Sequence, residues 1–484
     1  MSSSTPTPTP LQLAALKHFT NSPTPFHNCQ NLCASLDAAG FTALDEMNAW
    51  KGNLLPGGKY YYTRNGATLV AFTVGGKWDS KSGGFKIIGG HTDSPNLRLK
   101  PKSLMNSASP DLVQLSVECY GGGLWHTWFD RDLSLAGRVL VRSKEGRIEQ
   151  RLVKLNRPVC RIPSLCIHLQ SGEERAAFNF NKEEQLQPVL AQMVQETLGS
   201  PAPEKEGEKK SAWAENHPNV LMGLLAEELG CDVKDIVDFE VSLYDTQPAS
   251  LGGANNEFLY SARLDNQATC IVSIESLIEY SKDVDALAKD MDCSGICLFD
   301  HEEVGSASFT GAGSPIMGEF VRRVTSALNT DKECAEGEDF FQRMLRKSFV
   351  LSVDQAHAVH PNWPGKHMKT LSPKMNGGFV IKTNSNQRYT TNSFSGFIVR
   401  EICRRLDLPV QEFAVRNDCP CGSTIGPIIA EKTGMRSVDG GMAQLSMHSI
   451  REVMGVKDLD LTRVMFLGFW KMFREIDENC FECA

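Results

Sequence analysis

The sequence predicts an α/β protein that is interrupted by an inserted β-rich domain. In the C-terminal half, short apolar runs alternate with helical patterns, which is typical of a sheet covered by helices. In the middle of the chain, segments 112–117 and 137–142 alternate apolar and polar residues, as strands with one exposed face do. At 484 residues, the chain is also too long for one compact core.

Strands and helices are predicted along most of the chain. Residues 86–88 predict a buried strand that ends in a Gly-rich loop, and 137–149 predict a hairpin with its turn at 144–146. Apolar residues recur on one helical face from 266 to 280. Further strands are expected at 349–353, 412–415 and 435–438, and further helices at 390–406, from 449 to 454 and at 461–473. These patterns place one domain at 1–96 and 251–484, and an inserted domain at 97–250.

The overall charge narrows the class of partner. The net charge is −8 and the sequence pI is about 5.8, which argues against nucleic acid or an anionic membrane surface. No run approaches the ~18 apolar residues that a membrane span needs. The N-terminus lacks the features of a signal peptide, and the 15 scattered cysteines suggest free thiols in a reducing compartment. We therefore expect a cytoplasmic protein.

Metal-binding residue types follow several of the strand-like segments. Because ligands in open α/β sheets bind beyond the carboxyl ends of strands, we expect these side chains to meet. Two histidines and three carboxylates suit two divalent ions, and nitrogen and oxygen ligands fit Zn first, with Co or Mn also suitable. The five predicted ligands are His91, Asp265, Glu303, Asp354 and His448.

Two further acids have distinct predicted roles. Adjacent side chains on an extended backbone point in opposite directions, so Glu302 would face a water molecule while Glu303 binds metal. Glu302 is therefore the predicted general base in a hydrolysis by metal-activated water. Asp93 lies two residues after His91, where it could accept the other ring N–H and orient the imidazole.

Segments spread along the chain resemble the aspartyl aminopeptidases of the M18 metallopeptidase family. The resemblance implies a catalytic α/β domain with a mixed sheet flanked by helices, interrupted by a β-rich dimerisation domain, and assembly into a tetrahedral dodecamer. The matching segments are GGHTDSPNLRLKP (89–101), RIPSLCIHLQ (161–170), SARLDNQATC (261–270), DHEEVGSAS (300–308), SVDQAHAVHPN (352–362), NSNQRYTTN (384–392), VRNDCPCGSTIGP (415–427) and SMHSIRE (446–452).

The resemblance also divides the ligands between two ions. His91, Asp265 and Asp354 would hold one ion. Asp265 would bridge to the other, which Glu303 and His448 would complete. In similar enzymes, the histidine that matches His168 enters the site of a neighbouring subunit and steadies the oxyanion.

An acidic substrate side chain would need a cation in its pocket, because a buried carboxylate without one is costly. Lys382 follows an apolar run and matches the lysine that similar enzymes use for this purpose. Arg388 and Arg416 are weaker candidates. Gly422, Ser423 and Thr424 resemble the family's substrate loop.

Other functions remain open at this point. The two-metal site would also suit a phosphatase or another amidohydrolase, although no phosphate-cradling Gly-rich loop with its lysine is present. A third hypothesis is that the protein is a self-assembling scaffold or cargo particle, since some relatives travel as assembled cargo. His357 and His360 lie near Asp354 without an assigned role.

Overall fold

The computed structural model describes residues 7–105, 111–193, 213–329 and 337–480. The chain divides into two compact units. Unit 1 combines Met1–Asp93, Ala249–Met447 and Glu452–Ala484, and unit 2 combines Ser94–Pro248 with His448–Arg451. The sequence places its boundaries at 96 and 250, and nothing in it indicates that the short segment His448–Arg451 leaves unit 1.

A mixed nine-stranded sheet forms the centre of unit 1. Its four middle strands run parallel, so their carboxyl ends share one edge. In spatial order the strands are Thr42–Ala43, Lys59–Arg64, Thr68–Val74, Cys293–Phe299, Phe85–His91, Phe349–Val353, Arg436–Gly441, Phe379–Lys382 and Val410–Phe413.

Helices cover both faces of this sheet. Ile88 belongs to a core under one set of helices, and its neighbour Ile87 belongs to a core under the other set. Because both faces are buried, the middle strands are continuous apolar runs. The first set is Pro10–Asn21, Pro25–Ala38, Leu264–Lys282, Val284–Lys289, Ser393–Arg405 and Lys457–Cys480; the second is Ile316–Leu328, Gly337–Lys347 and Ile425–Thr433. The predicted α/β class with a helix-flanked mixed sheet is confirmed.

A smaller five-stranded sheet completes unit 1, and it corrects one sequence prediction. The helix expected from 449 to 454 is wrong, because Glu452–Gly455 is a strand that pairs on both sides. Pairing with two neighbours overrides the local helical preference of so short a segment. The strands, in spatial order, are Ser250–Gly252, Phe258–Ser261, Glu452–Gly455, Ala443–Leu445 and Ala356–His357.

Unit 2 is built on an antiparallel six-stranded sheet. The hairpin predicted across 137–149 is confirmed. In spatial order the strands are Ile148–Lys154, Leu133–Arg142, Ile236–Asp245, Asn96–Leu104, Leu112–Tyr120 and Val189–Gln192. The helices in the described part of this unit include Asn219–Leu229 and the shorter Gly172–Ala176 and Lys182–Gln185. Among the described residues, none of the helices has the length and apolarity that crossing a bilayer requires.

Candidate metal centre

Three neighbouring parallel strands end in acidic or imidazole side chains. His91 is the last residue of the strand Phe85–His91, and Asp354 directly follows Phe349–Val353. On the other side of Phe85–His91, the strand Cys293–Phe299 leads into Glu302 and Glu303. Since the strands are parallel, these residues collect at the same edge, where open α/β sheets bind ligands.

The ring of His91 lies at the centre of this group. Its Nε2 is 3.3 Å from Asp265 Oδ1, 3.5 Å from Asp354 Oδ1 and 3.9 Å from Glu302 Oε2. Potential ligand atoms of His91, Asp265 and Asp354 all lie within 4.8 Å of one another, and so do those of His91, Glu302 and Glu303. An imidazole nitrogen surrounded by carboxylate oxygens at this spacing fits a divalent ion such as zinc.

Asp93 fixes the other side of the ring and the acids beside it. His91 Nδ1 lies 3.0 Å from the Asp93 carbonyl oxygen and 3.3 Å from Asp93 Oδ1. The Asp93 carboxylate also accepts the backbone N–H groups of Glu302 and Glu303, each at 3.1 Å. One buried carboxylate therefore positions the imidazole and the glutamate pair together.

The glutamate pair does not lie on an extended backbone. Glu302–Val304 is a 3-10 turn, and the residue before it, His301, has a left-handed backbone with φ of 63°. The argument that the two side chains diverge because they sit on a strand is therefore wrong. The turn instead places a carboxylate oxygen of each residue within coordination reach of His91.

The electrostatics of the cluster favour positive charge. Burial of the ring lowers the pKa of His91, but interactions with the carboxylates of Asp265, Asp354 and Asp93 outweigh burial and raise that pKa well above its usual value. Burial raises the pKa of Glu302 to about 8; the charge of His91 opposes the shift, and the nearby acids add to it. The pocket thus holds an excess of acidic groups, as a cation site does.

Asp265 is held by its backbone at the start of the helix Leu264–Lys282. Its N–H donates to Glu452 Oε2 at 3.0 Å, and the preceding carbonyl of Leu264 accepts from Gln355 Nε2 at 3.2 Å. Glu452 is itself buried. Glu452 is not among the predicted site residues, because only its place in the matching segment 446–452 distinguishes it in the sequence.

Lys382 lies beside the cluster at the end of the strand Phe379–Lys382. Its side chain is only 3% exposed, and its Nζ lies 3.7 Å from Asp354 Oδ2. The ammonium also lies 5.3 Å from the ring centre of the buried Tyr389, a residue that the sequence analysis does not single out. A buried lysine at this distance from a candidate metal ligand can offer charge to a substrate as well as to Asp354.

The other predicted substrate residues differ in exposure. Gly422 and Ser423 are exposed, whereas Thr424 is buried and donates its hydroxyl to Asp439 Oδ1. Arg388 is exposed and donates to the carbonyl of Cys421. Arg416 is partly exposed and forms two hydrogen bonds with Asp418. Neither arginine is as buried as Lys382.

A family model described as "Aminopeptidase I zinc metalloprotease (M18)" matches residues 18–470. This chain belongs to the M18 aminopeptidase family. It is 42% identical to a probable aspartyl aminopeptidase of Ricinus communis over 95% of this chain and 94% of that protein. It is 43% identical to aspartyl aminopeptidase 4 of Saccharomyces cerevisiae, with the same coverage of each protein.

Solved structures of M18 proteins share the fold. One, described as the complex of Ape4 and Nbr1, is 40% identical with a TM-score of 0.88, covering 97% of this chain and 87% of that one. Another, the mApe1 dodecamer of S. cerevisiae, is 30% identical with a TM-score of 0.82, covering 98% and 99%. Both matches cover at least 97% of this chain.

Two predicted site residues of this M18 chain belong to unit 2. His448 has a left-handed backbone, and its Nδ1 hydrogen-bonds the carbonyl of Gly122 at 3.0 Å, so Nε2 is the ring nitrogen that would face a metal. His168 is exposed on the short 3-10 helix Ile167–Leu169. The roles of both residues at the metal centre stay predictions.

Among the described residues, neither His357 nor His360 belongs to a group of side chains that could hold a metal ion. His360 Nδ1 accepts the N–H of Asn362, and the His360 N–H donates to His367 Nε2. The ring of His357 packs edge-on against Phe413. These contacts stabilise the loop after Asp354.

Proposed function

We propose that this M18 chain is a metalloaminopeptidase that removes Asp or Glu from the N-terminus of peptides. One observation carries the proposal: the buried ammonium of Lys382 lies beside the clustered ligand atoms of His91, Asp265 and Asp354. A cation site next to a separate buried positive charge suits a substrate with a scissile amide and a side-chain acid. The names of the relatives point in the same direction.

The donor set fits two divalent ions, zinc above all. His91, Asp265 and Asp354 would hold one ion, and Glu303 and His448 would complete the second, with Asp265 between them. When bound, such ions polarise a carbonyl and lower the pKa of water. Asp93 and Glu452 would keep the ligands in place through the hydrogen bonds that they accept.

Glu302 would carry the proton. It would take a proton from the attacking water and deliver it to the amine that leaves, so that its carboxylate is restored at the end of the reaction. Its Oε2 lies 3.9 Å from His91 Nε2, close to the ligands without being needed among them.

Lys382 would select the acidic residue. A substrate carboxylate in a buried pocket costs several kcal/mol unless a cation pairs with it. The Lys382 ammonium lies 3.7 Å from Asp354 Oδ2 and 5.3 Å from the ring centre of Tyr389. A neutral N-terminal residue would leave the ammonium without this partner, so acidic residues would be preferred.

Assembly would complete the site. One relative was solved as a dodecamer, and we propose that this chain also forms a tetrahedral dodecamer, with unit 2 as its dimerisation domain. His168 would then reach a neighbouring subunit and donate to the oxyanion. In support, His168 is exposed and is flanked by Ile167 and Leu169, which are 61% and 72% exposed. Exposed apolar residues around a polar group are typical of a protein contact.

The test combines metal content with a panel of substrates. Purified protein should contain about two ions per subunit, cleave N-terminal Asp or Glu far faster than Leu, and ignore phosphoesters. Chelation should stop the reaction, and Zn, Co or Mn should restore it. Glu302→Gln should lower kcat by about 10²–10⁴-fold with metal content and assembly intact. Preference for Leu, indifference to chelation or an active Glu302→Gln variant would contradict the proposal.

A further inference from the structure

Asp439 is a fully buried carboxylate beside the proposed specificity lysine. It lies on the strand Arg436–Gly441, directly across the antiparallel register from Lys382. Its Oδ2 accepts from both the backbone N–H and the hydroxyl of Thr390, at 2.6 and 2.7 Å. Its Oδ1 accepts the hydroxyl of Thr424 at 2.6 Å. The two carboxylate oxygens therefore bind two different loops.

The same two loops are also tied to each other. The Arg388 guanidinium donates to the carbonyl of Cys421 at 3.2 Å, and the Ser423 hydroxyl donates to the carbonyl of Arg388 at 3.2 Å. On the strand itself, the Asp439 N–H donates to Thr391 Oγ1 at 3.0 Å. The segments 388–391 and 421–424 therefore form one unit that is anchored to the sheet through Asp439.

The position of Asp439 matters because one of the segments that it anchors contains Tyr389, which lies next to Lys382. Tyr389 lies between Arg388 and Thr390, and its buried ring is 5.3 Å from Lys382 Nζ. The backbone of Gly426 lies close to the Asp439 carboxylate: a Cβ added at Gly426 would lie 2.4 Å from Asp439 Oδ1. A side chain at Gly426 would therefore displace the carboxylate, so glycine is required there.

We infer that Asp439 is a positioning residue for substrate specificity: it holds the segments 388–391 and 421–424 around Lys382 and so sets the shape of the pocket for an acidic side chain. This inference rests on the proposed function. It accounts for Thr424, whose hydroxyl turns inward to Asp439 while Gly422 and Ser423 remain exposed. In the described part of the chain, the hydrogen bonds of the Asp439 carboxylate go to Thr390 and Thr424 and not to a proposed metal ligand, so its effect should fall on binding of the acidic residue.

The test measures kcat and KM for N-terminal Asp and Leu substrates in the full-length protein. Asp439→Ala should raise KM for the Asp substrate on the order of 10-fold or more, because charged hydrogen bonds to both loops are lost. Asp439→Asn should recover most of this loss, since an amide can accept from Thr390 and donate to the Thr424 hydroxyl. Thr424→Val should give a smaller rise in KM. Glu431→Ala, at an exposed carboxylate on the helix Ile425–Thr433, is the matched control and should behave as wild type.

Metal content should stay at the wild-type level in all four variants, which separates loop positioning from loss of the metal centre. An unchanged KM in Asp439→Ala, or no recovery in Asp439→Asn, would overturn the inference. If Asp439→Ala does not fold, an unchanged KM in Thr424→Val overturns it equally. A wild-type protein that fails to cleave N-terminal Asp would contradict the proposed function instead, so the two failures are distinguishable.

Discussion

Buried charged side chains lie at both ends of the central parallel strands, but the two ends differ in how these charges are paired. At the amino end of Phe85–His91, Lys86 donates to Asp290 Oδ2 at 2.8 Å and to the carbonyl of Trp470 at 2.6 Å. Nearby, Arg474 Nη2 donates to Asp292 Oδ1 at 2.7 Å. The buried Lys86 and the partly buried Arg474 therefore each have a carboxylate partner at hydrogen-bonding distance.

The carboxyl end of the same strand is organised in another way. Here His91 and Lys382 face a larger group of acids, and the contacts are longer: Lys382 Nζ lies 3.7 Å from Asp354 Oδ2. The described acids at this end of unit 1 include Asp93, Asp265, Glu302, Glu303 and Asp354, and Asp439 lies across from Lys382.

The difference separates a structural charge cluster from a functional one. Burial of charge is tolerated only when it is neutralised. The amino end achieves this with its own side chains, whereas the carboxyl end has an excess of acids that incoming cations would balance. We propose that Lys382, whose ammonium lies 3.7 Å from Asp354 Oδ2, is the cation that would pair with a substrate acid.

The largest expected effect on activity concerns the proposed contribution of His168 from a neighbouring subunit to the site at the carboxyl end. We expect Glu302→Gln chains and His168→Ala chains to be nearly inactive alone but to recover activity when assembled together. In a mixed pair, His168 of the Glu302→Gln chain would serve the intact Glu302 of its neighbour. Random two-fold pairing predicts recovery of up to about a quarter of wild-type activity. The measurement is peptidase activity of co-expressed chains.

The control for mixing is a chain that carries both substitutions, co-expressed with the Glu302→Gln chain. No pair in that mixture joins an intact Glu302 to an intact His168 of the neighbour, so activity should stay at background. Mixed oligomers verified by mass spectrometry that show no recovery in the main experiment would argue that His168 does not act across an interface.

The second effect compares the two buried lysines directly. Lys382→Met should lower kcat/KM for N-terminal Asp on the order of 100-fold, because the substrate acid would be buried without a cation, and should change Leu cleavage little. Lys86→Met should leave the Asp-to-Leu preference unchanged but destabilise folding by about 3–5 kcal/mol, because Asp290 would be left buried without its cation. Substrate kinetics and urea unfolding give the two readouts.

Each lysine variant is the control for the other. An equal loss of Asp and Leu cleavage in Lys382→Met would mean that Lys382 serves only to neutralise Asp354. A change in substrate preference in Lys86→Met would mean that the two ends of the sheet are not separable.

The strands that end at the proposed metal ligands could be predicted from the sequence, because the local pattern of apolar and polar residues is enough to identify them. Ile87 and Ile88 before His91, and the apolar run 349–353 before Asp354, are short buried strands that end in polar residues. Elements that depend on distant pairing could not be predicted. The strand Glu452–Gly455 is fixed by neighbours on both sides, and its sequence predicted a helix instead.

The supporting residues of the site escaped prediction for a related reason. Glu452 and Asp439 act through hydrogen bonds to segments far away in sequence, namely Asp265 for the first and Thr390 and Thr424 for the second. Nothing in their immediate sequence distinguishes them from acids at a protein surface. Ligand types can be predicted from strand ends, whereas the residues that hold the ligands require the fold.

The smallest effect concerns two buried histidines of unit 1 whose pKa values shift in opposite directions. His91 is surrounded by acids, whereas His18 is buried in the helix Pro10–Asn21 and pairs with Asn28, and burial lowers the pKa of His18 to about 4. An unfolded histidine has a pKa near 6.5, so the unfolded chain binds the proton first. The stability that neutral His18 contributes is therefore complete above about pH 6.5 and is lost progressively as the pH falls toward 4. We expect urea unfolding to show wild type losing about 2 kcal/mol more than His18→Gln between pH 7.5 and 5, with the exposed His126→Gln behaving as wild type. An identical loss in His18→Gln and wild type would mean that other groups set the acid sensitivity of this unit.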